Sequence, residues 1–162
     1  MSAVVLLDAG PLGMYASAGG RPKNGICKAR INALLAAGKI VTVPGIADYE
    51  VRRELTLLTL QQPACKAIPR LDMVIHVLGR IPVADETTVL ASRIWAHCRK
   101  HGIVTAPKEA LDGDVLLVAH ALIERAKGNV VEVATTNSAD LSSVVASFAP
   151  NQVAVLNWDD LK

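Results

Sequence analysis

Four acidic residues stand at the ends of apolar runs, not on polar stretches. Asp8 follows AVVLL, Glu50 lies within VPGIADYEVRREL, Asp114 heads DVLLVAHAL, and Asp140 follows VVEVATTNSA. A carboxylate beside a run that must be buried is itself near the interior, where an unpaired charge is costly. Four such charges brought together repel unless a cation sits among them. Mg2+ and Mn2+ prefer oxygen donors of this kind. Two such ions, one activating a water and one stabilising the leaving oxygen, form the arrangement that hydrolyses phosphodiesters. Asp8, Glu50, Asp114 and Asp140 are therefore the candidate metal ligands and catalytic residues.

Each has a plainer alternative. Asp8 could cap the turn after its strand. Glu50 could pair with Arg53 three residues on. Asp112 or Asp114 could cap the helix that follows; the expected division is a cap at Asp112 and an inward role for Asp114. Asp140 could cap its own helix. Asn137 could hold the turn or bind a ligand water. Glu54 reads as an ion-pair partner of Arg53 or of a lysine.

The elements around these acids say whether they can meet. AVVLL, residues 3–7, reads as a strand buried on both faces, and Asp8-Ala9-Gly10-Pro11 as a turn into a short helix. Helical spacing covers 24–37 and stops at Gly38. Residues 39–43 read as a second strand. Pro44 then opens a helix carrying Ile46, Glu50, Arg53 and Leu57 along one side, closed at Gln61-Gln62-Pro63. A weaker helix spans 66–78, and Arg80–Val83 is a short edge strand with a proline. A helix runs from Asp85 to Lys100, a loop over 103–111, and a helix that is apolar nearly all round from Asp114 to Lys127. Val130–Thr135 is a strand, followed by the turn Thr136-Asn137-Ser138, a short helix and a last strand at 152–156. Strands alternate with helices, which predicts an α/β fold with a mainly parallel sheet. Ligands of such sheets bind beyond the carboxyl ends of the strands, and all four acids can reach one such end.

At 162 residues the chain fits one domain, 1–162. No apolar run is long enough to cross a bilayer, and MSAVVLLDAG reads as a strand, not a signal peptide. The expectation is a cytoplasmic protein with no membrane contact. Cys27, Cys65 and Cys98 lack the spacing of a zinc or redox motif and read as buried free thiols. The net charge of +2 does not by itself indicate nucleic-acid binding. Basic residues do cluster at Arg21, Lys23, Lys28 and Arg30, at Arg52 and Arg53, and at Arg99, Lys100 and His101. Such clusters can follow a phosphate backbone, although composition alone favours solvated helix faces. Aromatic residues make up only 3%, which disfavours base stacking on an aromatic platform.

At LLDAGPL, PGIADYEVRREL, LDGDVLLVAHAL and TTNSADL the chain resembles the PIN-domain family of metal-dependent ribonucleases. The resemblance covers nearly the whole length and rests on the order and spacing of these four stretches. It maps the family's acidic positions onto Asp8, Glu50 and Asp114, and a T-x-N-x-x-D pattern onto Thr135, Asn137 and Asp140. It implies a three-layer α/β/α sandwich around a mainly parallel sheet of four or five strands. It also implies cleavage of single-stranded or structured RNA with Mg2+ or Mn2+. Many small bacterial members are toxins of toxin–antitoxin pairs and form homodimers, so an antitoxin and a second copy are implied partners, with an exposed apolar groove expected in the 60–80 region. The alternative is a catalytically inactive RNA- or protein-binding module on the same fold. Other enzyme classes fit less well. A haloacid-dehalogenase phosphatase needs DxD where this chain has Asp8-Ala9-Gly10, and a dinucleotide-binding fold needs a GxGxxG that is missing. A receiver domain would carry a phosphoacceptor Asp later in the sheet order and a lysine after its last strand, and neither is evident.

Overall fold

In the computed structural model, which describes residues 1–162, Ala3–Leu7 forms strand β1. Its pleat divides the interior. Val4 and Leu6 enter one hydrophobic core, Val5 and Leu7 the other, and all four are buried. A strand buried on both faces needs helices above and below it. The chain continues as helix α1 (Ala9–Ala16), α2 (Pro22–Ala36), β2 (Ile40–Pro44), α3 (Gly45–Gln61), α4 (Ala67–Leu78) and β3 (Arg80–Ile81). It ends with α5 (Asp85–Lys100), α6 (Gly113–Ala126), β4 (Val130–Thr135), α7 (Ser138–Phe148), β5 (Ala154–Asn157) and a terminal turn at Asp159–Leu161.

The five strands form one sheet in the order β3-β2-β1-β4-β5, and every neighbouring pair is parallel. Helices α5, α6 and α7 cover one face with Ile94, Leu117 and Leu141, among others. Helices α1 to α4 cover the other with Leu12, Ile31, Val51 and Leu71. This is the expected three-layer α/β/α sandwich, with five strands and no antiparallel member. Winding proceeds from β1 outward to β3, then returns to the far side of β1 for β4 and β5. The direction therefore reverses between β1 and β4, which opens a crevice at their carboxyl ends.

Most elements fall where the sequence places them, and α5 matches residue for residue. Two expectations need correction. The last strand begins at Ala154, not at 152, because residues 150–152 form a turn in which Asn151 adopts φ 63° and Gln152 N–H bonds to the Ala149 carbonyl at 3.2 Å. Asn tolerates this left-handed conformation better than most residues. Asp140 does not cap its own helix: Asn137 occupies the N-cap position of α7, which places Asp140 inside its first turn. Of the three free thiols, Cys27 and Cys98 are buried and Cys65 is partly exposed. No helix is long and apolar enough to cross a membrane.

The two-residue edge strand β3 is held by an ion pair to a buried carboxylate. Asp48, only 3% exposed, accepts from Arg52 Nε at 2.9 Å and from Arg80 Nη1 at 3.0 Å. Arg52 also donates to Asp72 at 2.8 Å, so α3, α4 and β3 share one charge network. Two arginines satisfy both oxygens of Asp48, which makes its burial tolerable.

Candidate active site

Asp8 is the first residue past β1 and is still tied to the sheet, its N–H donating to the Ala134 carbonyl at 3.0 Å. Its Oδ1 accepts from the Ala9 N–H at 2.7 Å and its Oδ2 from the Thr135 hydroxyl at 2.6 Å. Thr135 ends β4, the strand across the switch point. The two central strand ends are thus bridged by a carboxylate–hydroxyl bond. The same hydroxyl oxygen accepts from the Asn137 N–H at 2.9 Å, and Asn137 Nδ2 donates to Asp140 Oδ2 at 2.7 Å. These contacts give the T-x-N-x-x-D spacing a physical meaning, a relay that fixes Asp8 and Asp140 from one turn. Asp159 holds that turn from the far side, accepting from Ser138 N–H at 2.9 Å and from Ser138 Oγ at 2.8 Å.

Glu50 lies on α3 and reaches the start of α6. A Cβ placed at Gly113 would stand 2.5 Å from Glu50 Oε1, and one at Gly10 would stand 2.4 Å from Thr136 Oγ1. Glycine at both positions lets the helix starts close on neighbouring side chains. The alternative pairing of Glu50 with Arg53 does not form. Arg53 lies 3.6 Å from Glu54 and packs over the Tyr49 ring at 5.6 Å. Asp112 is the N-cap of α6, with Oδ1 accepting from the Val115 N–H at 3.3 Å and Oδ2 from the Thr105 hydroxyl at 2.7 Å. Asp114, two residues on, has no hydrogen-bonded partner for its carboxylate and lies in the first turn of α6.

The electrostatics show that these acids share one region. Burial, and after it the charges of Asp8, Asp112, Asp140 and Glu50, together push the Asp114 carboxyl up to about 7. Burial also raises Glu50, with Asp8 adding to the effect and Arg53 opposing it. Asp8 is raised by burial against the lowering pull of its bonds to Thr135 and Ala9. Four acids, one just past β1 and the others on α3, α6 and α7, thus interact across one crevice, with too little positive charge among them. They do not close on a common point: no three His, Cys, Asp or Glu side chains are drawn together tightly enough to hold an ion as they stand. Like charges relax away from each other, and an all-oxygen donor set with unbalanced negative charge fits a hard divalent cation.

Sequence reasoning passed over Asp48 and Asp159, and both turn out to brace elements of the site. Nothing near Asp48 in the sequence announces Arg80, which arrives from 32 positions away. Asp159 acts across 21 positions.

No family model matches the sequence, and no curated protein does. Solved structures do match. A VapBC2 structure from Rickettsia felis, bound to a DNA fragment from their promoter, aligns with a TM-score of 0.70 at 13% identity, covering 96% of this chain and 99% of that one. FitAcB from Neisseria gonorrhoeae aligns at 0.56 and 17% identity over 94% and 96% of the two chains. A DNA-bound VapBC from Salmonella typhimurium aligns at 0.57 and 15% identity over 98% and 99%. At such low identity the likeness speaks for the fold alone, and that fold, with its five parallel strands and flanking helices, is the PIN-like one that the sequence resemblance implied.

Proposed function

We propose that this protein is a metal-dependent endoribonuclease in which Asp8, Glu50 and Asp114 hold Mg2+ or Mn2+ and Asp140 completes the site. The observation that carries this is that Asp8 and Asp140, tied through Thr135 and Asn137 at the β1/β4 switch point, and Glu50, set against Gly113 at the start of α6, crowd the region of Asp114, whose carboxyl burial and these charges raise to about 7. Such a cluster destabilises the fold on its own and makes sense as a cation site. A cation bound there supplies Lewis-acid activation of water and positive charge for the leaving oxygen.

The chain's own residues do the positioning. Thr135 and the Ala9 N–H hold the two oxygens of Asp8 in place, and Asn137 holds Asp140. Asp112 keeps its charge on the helix cap and so leaves Asp114 free of other duties. Near neutral pH, and without a cation, Asp114 carries a proton for much of the time and releases it when its neighbours are neutralised.

The fold neighbours are toxin–antitoxin structures, and this supports a toxin role with an antitoxin partner. Helices α3 and α4 leave Leu57, Leu60, Met73 and Val77 exposed, apolar surface of the kind such a partner would cover, in and beside the expected 60–80 region. A homodimer and a cytoplasmic location belong to the same reading.

Cleavage of defined RNAs with Mn2+, with Asp8→Asn as control, tests the activity. The expected result is that wild type cleaves, that the variant shows the same circular dichroism, and that it does not cleave. Equal cleavage by both proteins would sink the reading, and a wild type that neither cleaves nor binds Mn2+ by calorimetry would favour an inactive binding module.

A further inference from the structure

The basic residues that the sequence groups together have different tasks in the fold. Arg30 pairs with Asp160, Lys28 donates to the Ser17 carbonyl at 2.7 Å, and Arg52 is held by Asp48 and Asp72. Arg99 is bound to the Ala106 carbonyl and stacked on Trp95. Arg21 and Lys23 differ: neither makes an ion pair or a side-chain hydrogen bond. Both line an open pocket of about 460 Å³ at the corner between α1 and α2, together with Gly10, Gly13, Ser17 and Asn24.

This pocket has the chemistry of an anion site. Its lining contains no carboxylate. The Ser17 carbonyl is already occupied by Lys28. The Ser17 hydroxyl oxygen accepts from Asn24 Nδ2 at 3.0 Å and from the Gly19 N–H at 3.4 Å, which leaves its own proton with no acceptor in the protein. A hydroxyl donor, a guanidinium and an ammonium thus face one opening. Buried Asn24 and the bond from Lys28 fix the geometry of the corner.

The pocket also adjoins an opening beside Glu50. Gly13 lines it on one side and, on the other, lines a second opening formed with Ala9, Glu50, Arg53 and Glu54. Gly10, its other floor residue, abuts Thr136 next to the Thr135–Asp8 bridge. Helix α1 presents Ala9, Gly10 and Gly13 along this path, and Met14 is its one longer side chain that lines the pocket. Its eight residues span about 12 Å, enough to separate a neighbouring phosphate from the one at the acids.

We infer that Ser17, Arg21 and Lys23 form a phosphate subsite that grips the backbone of single-stranded RNA beside the acidic crevice, the strand crossing α1 over Gly10 and Gly13. This inference rests on the nuclease reading for the identity of the strand, and on the pocket alone for its place. The subsite binds backbone, not bases, so it adds affinity with little sequence preference.

The test is fluorescence anisotropy with a labelled single-stranded RNA oligonucleotide in Mg2+, over a series of salt concentrations. Asp8→Asn protein serves as the background so that the probe stays intact. Arg21→Ala with Lys23→Ala is compared with a control pair on the exposed surface of α5, Arg93→Ala with Lys100→Ala. The expected result is a loss of roughly tenfold in affinity for the first pair. The slope of log K against log salt should fall by about 1.4, two contacts at about 0.7 each, with little change in the control. Equal losses in both pairs, or no loss in either, would overturn the subsite, as would absence of RNA binding by the background protein. Cleavage by the otherwise wild-type chain separates the two ideas. Activity with KM unchanged in the Arg21/Lys23 variant removes the subsite and spares the nuclease. Selective loss of binding without any wild-type cleavage does the reverse.

Discussion

Replacing Asp114 with Asn should stabilise the metal-free protein while abolishing its metal-dependent activity. The carboxyl is raised from 3.8 to about 7 by burial and by Asp8, Asp112, Asp140 and Glu50. At about 1.4 kcal/mol for each factor of ten, the full difference amounts to about 4 kcal/mol. Asp114 keeps some exposure to water, and its neighbours can relax, so about half of that, about 2 kcal/mol, is the expected gain. The sign follows from proton binding. The folded state holds the Asp114 proton more tightly than the unfolded state, so the stability contributed by this group is full below about pH 4 and is lost as pH rises from about 4 to about 7. The amide does not titrate, so the advantage of the variant should grow over that window and level off above it. Urea unfolding in EDTA, followed by tryptophan fluorescence, measures this directly. At pH 8 the variant should be more stable by about 2 kcal/mol, or about 6 °C in melting temperature for a chain of this size. At pH 5 the gain should drop below about 1 kcal/mol. Saturating Mn2+ should reverse the order, since ligand bound only to the folded state stabilises by mass action, about 2.7 kcal/mol at a hundred times Kd. A variant no more stable than wild type at pH 8 in EDTA, or a gain equal at both pH values, would refute the convergence of charge on which the function is argued.

Gly113→Ala places a Cβ 2.5 Å from Glu50 Oε1; the end of that side chain must move, so Mn2+ affinity should fall, while helix propensity keeps the change in stability within about 1 kcal/mol. Calorimetric titration beside urea unfolding checks both halves. Thr135→Val removes the hydroxyl that donates to Asp8 Oδ2 at 2.6 Å; metal affinity should drop by about ten- to a hundredfold with the fold retained, as for other lost partners of ligating carboxylates, and unchanged affinity would show the bond to be structural only. His120 is buried, its Nε2 lacks a partner, and burial lowers its pKa from 6.5 to about 4. Stability from this group is present above about pH 6.5 and is lost as pH falls toward 4, worth about 3 kcal/mol at most. His120→Leu should therefore gain on wild type as urea titrations move from pH 7 to pH 4.5, opposite in sign to Asp114→Asn.

The parts of this protein that the sequence makes legible are those set by local pattern. AVVLL and VVEVAT read as central strands because nothing polar interrupts the faces that both layers of helices must cover, apart from Glu132 and the terminal Thr135 on the latter. Helix α5 is bounded by acids at its start and basic residues at its end, the arrangement a helix dipole favours. What local pattern does not carry is the partner of a charge. Arg30 and Arg21 look alike in sequence, yet one is engaged by Asp160 across 130 positions and the other is free. Asp48 looks like an ornament of a first turn until β3 brings Arg80 to it. The start of β5 departs from the local pattern for a similar reason: Gln152 and Val153 continue the strand pattern, but the turn at Asn151 withholds them from the ladder.

The division between Asp112 and Asp114 shows how the fold turns two nearby acids to different uses. Both sit at the start of α6, where the positive end of the helix favours a carboxylate. Asp112 receives the Val115 N–H and the Thr105 hydroxyl, so its charge is compensated within the protein. Asp114 receives nothing and faces three acids from other elements. A capping acid alone would leave no reason for a second carboxylate two residues on, in a crevice already crowded with negative charge. Retaining it is a burden on stability that a proton relieves at low pH and that, in the proposed function, a cation relieves at neutral pH. The same logic extends to Glu50, which the absence of a side chain at Gly113 brings against the start of α6. The parallel topology places the β1 and β4 ends side by side, and the helix starts that follow bring the acids to one crevice. In the absence of a cation that arrangement works against the fold, and the pH dependence of unfolding in EDTA should show it.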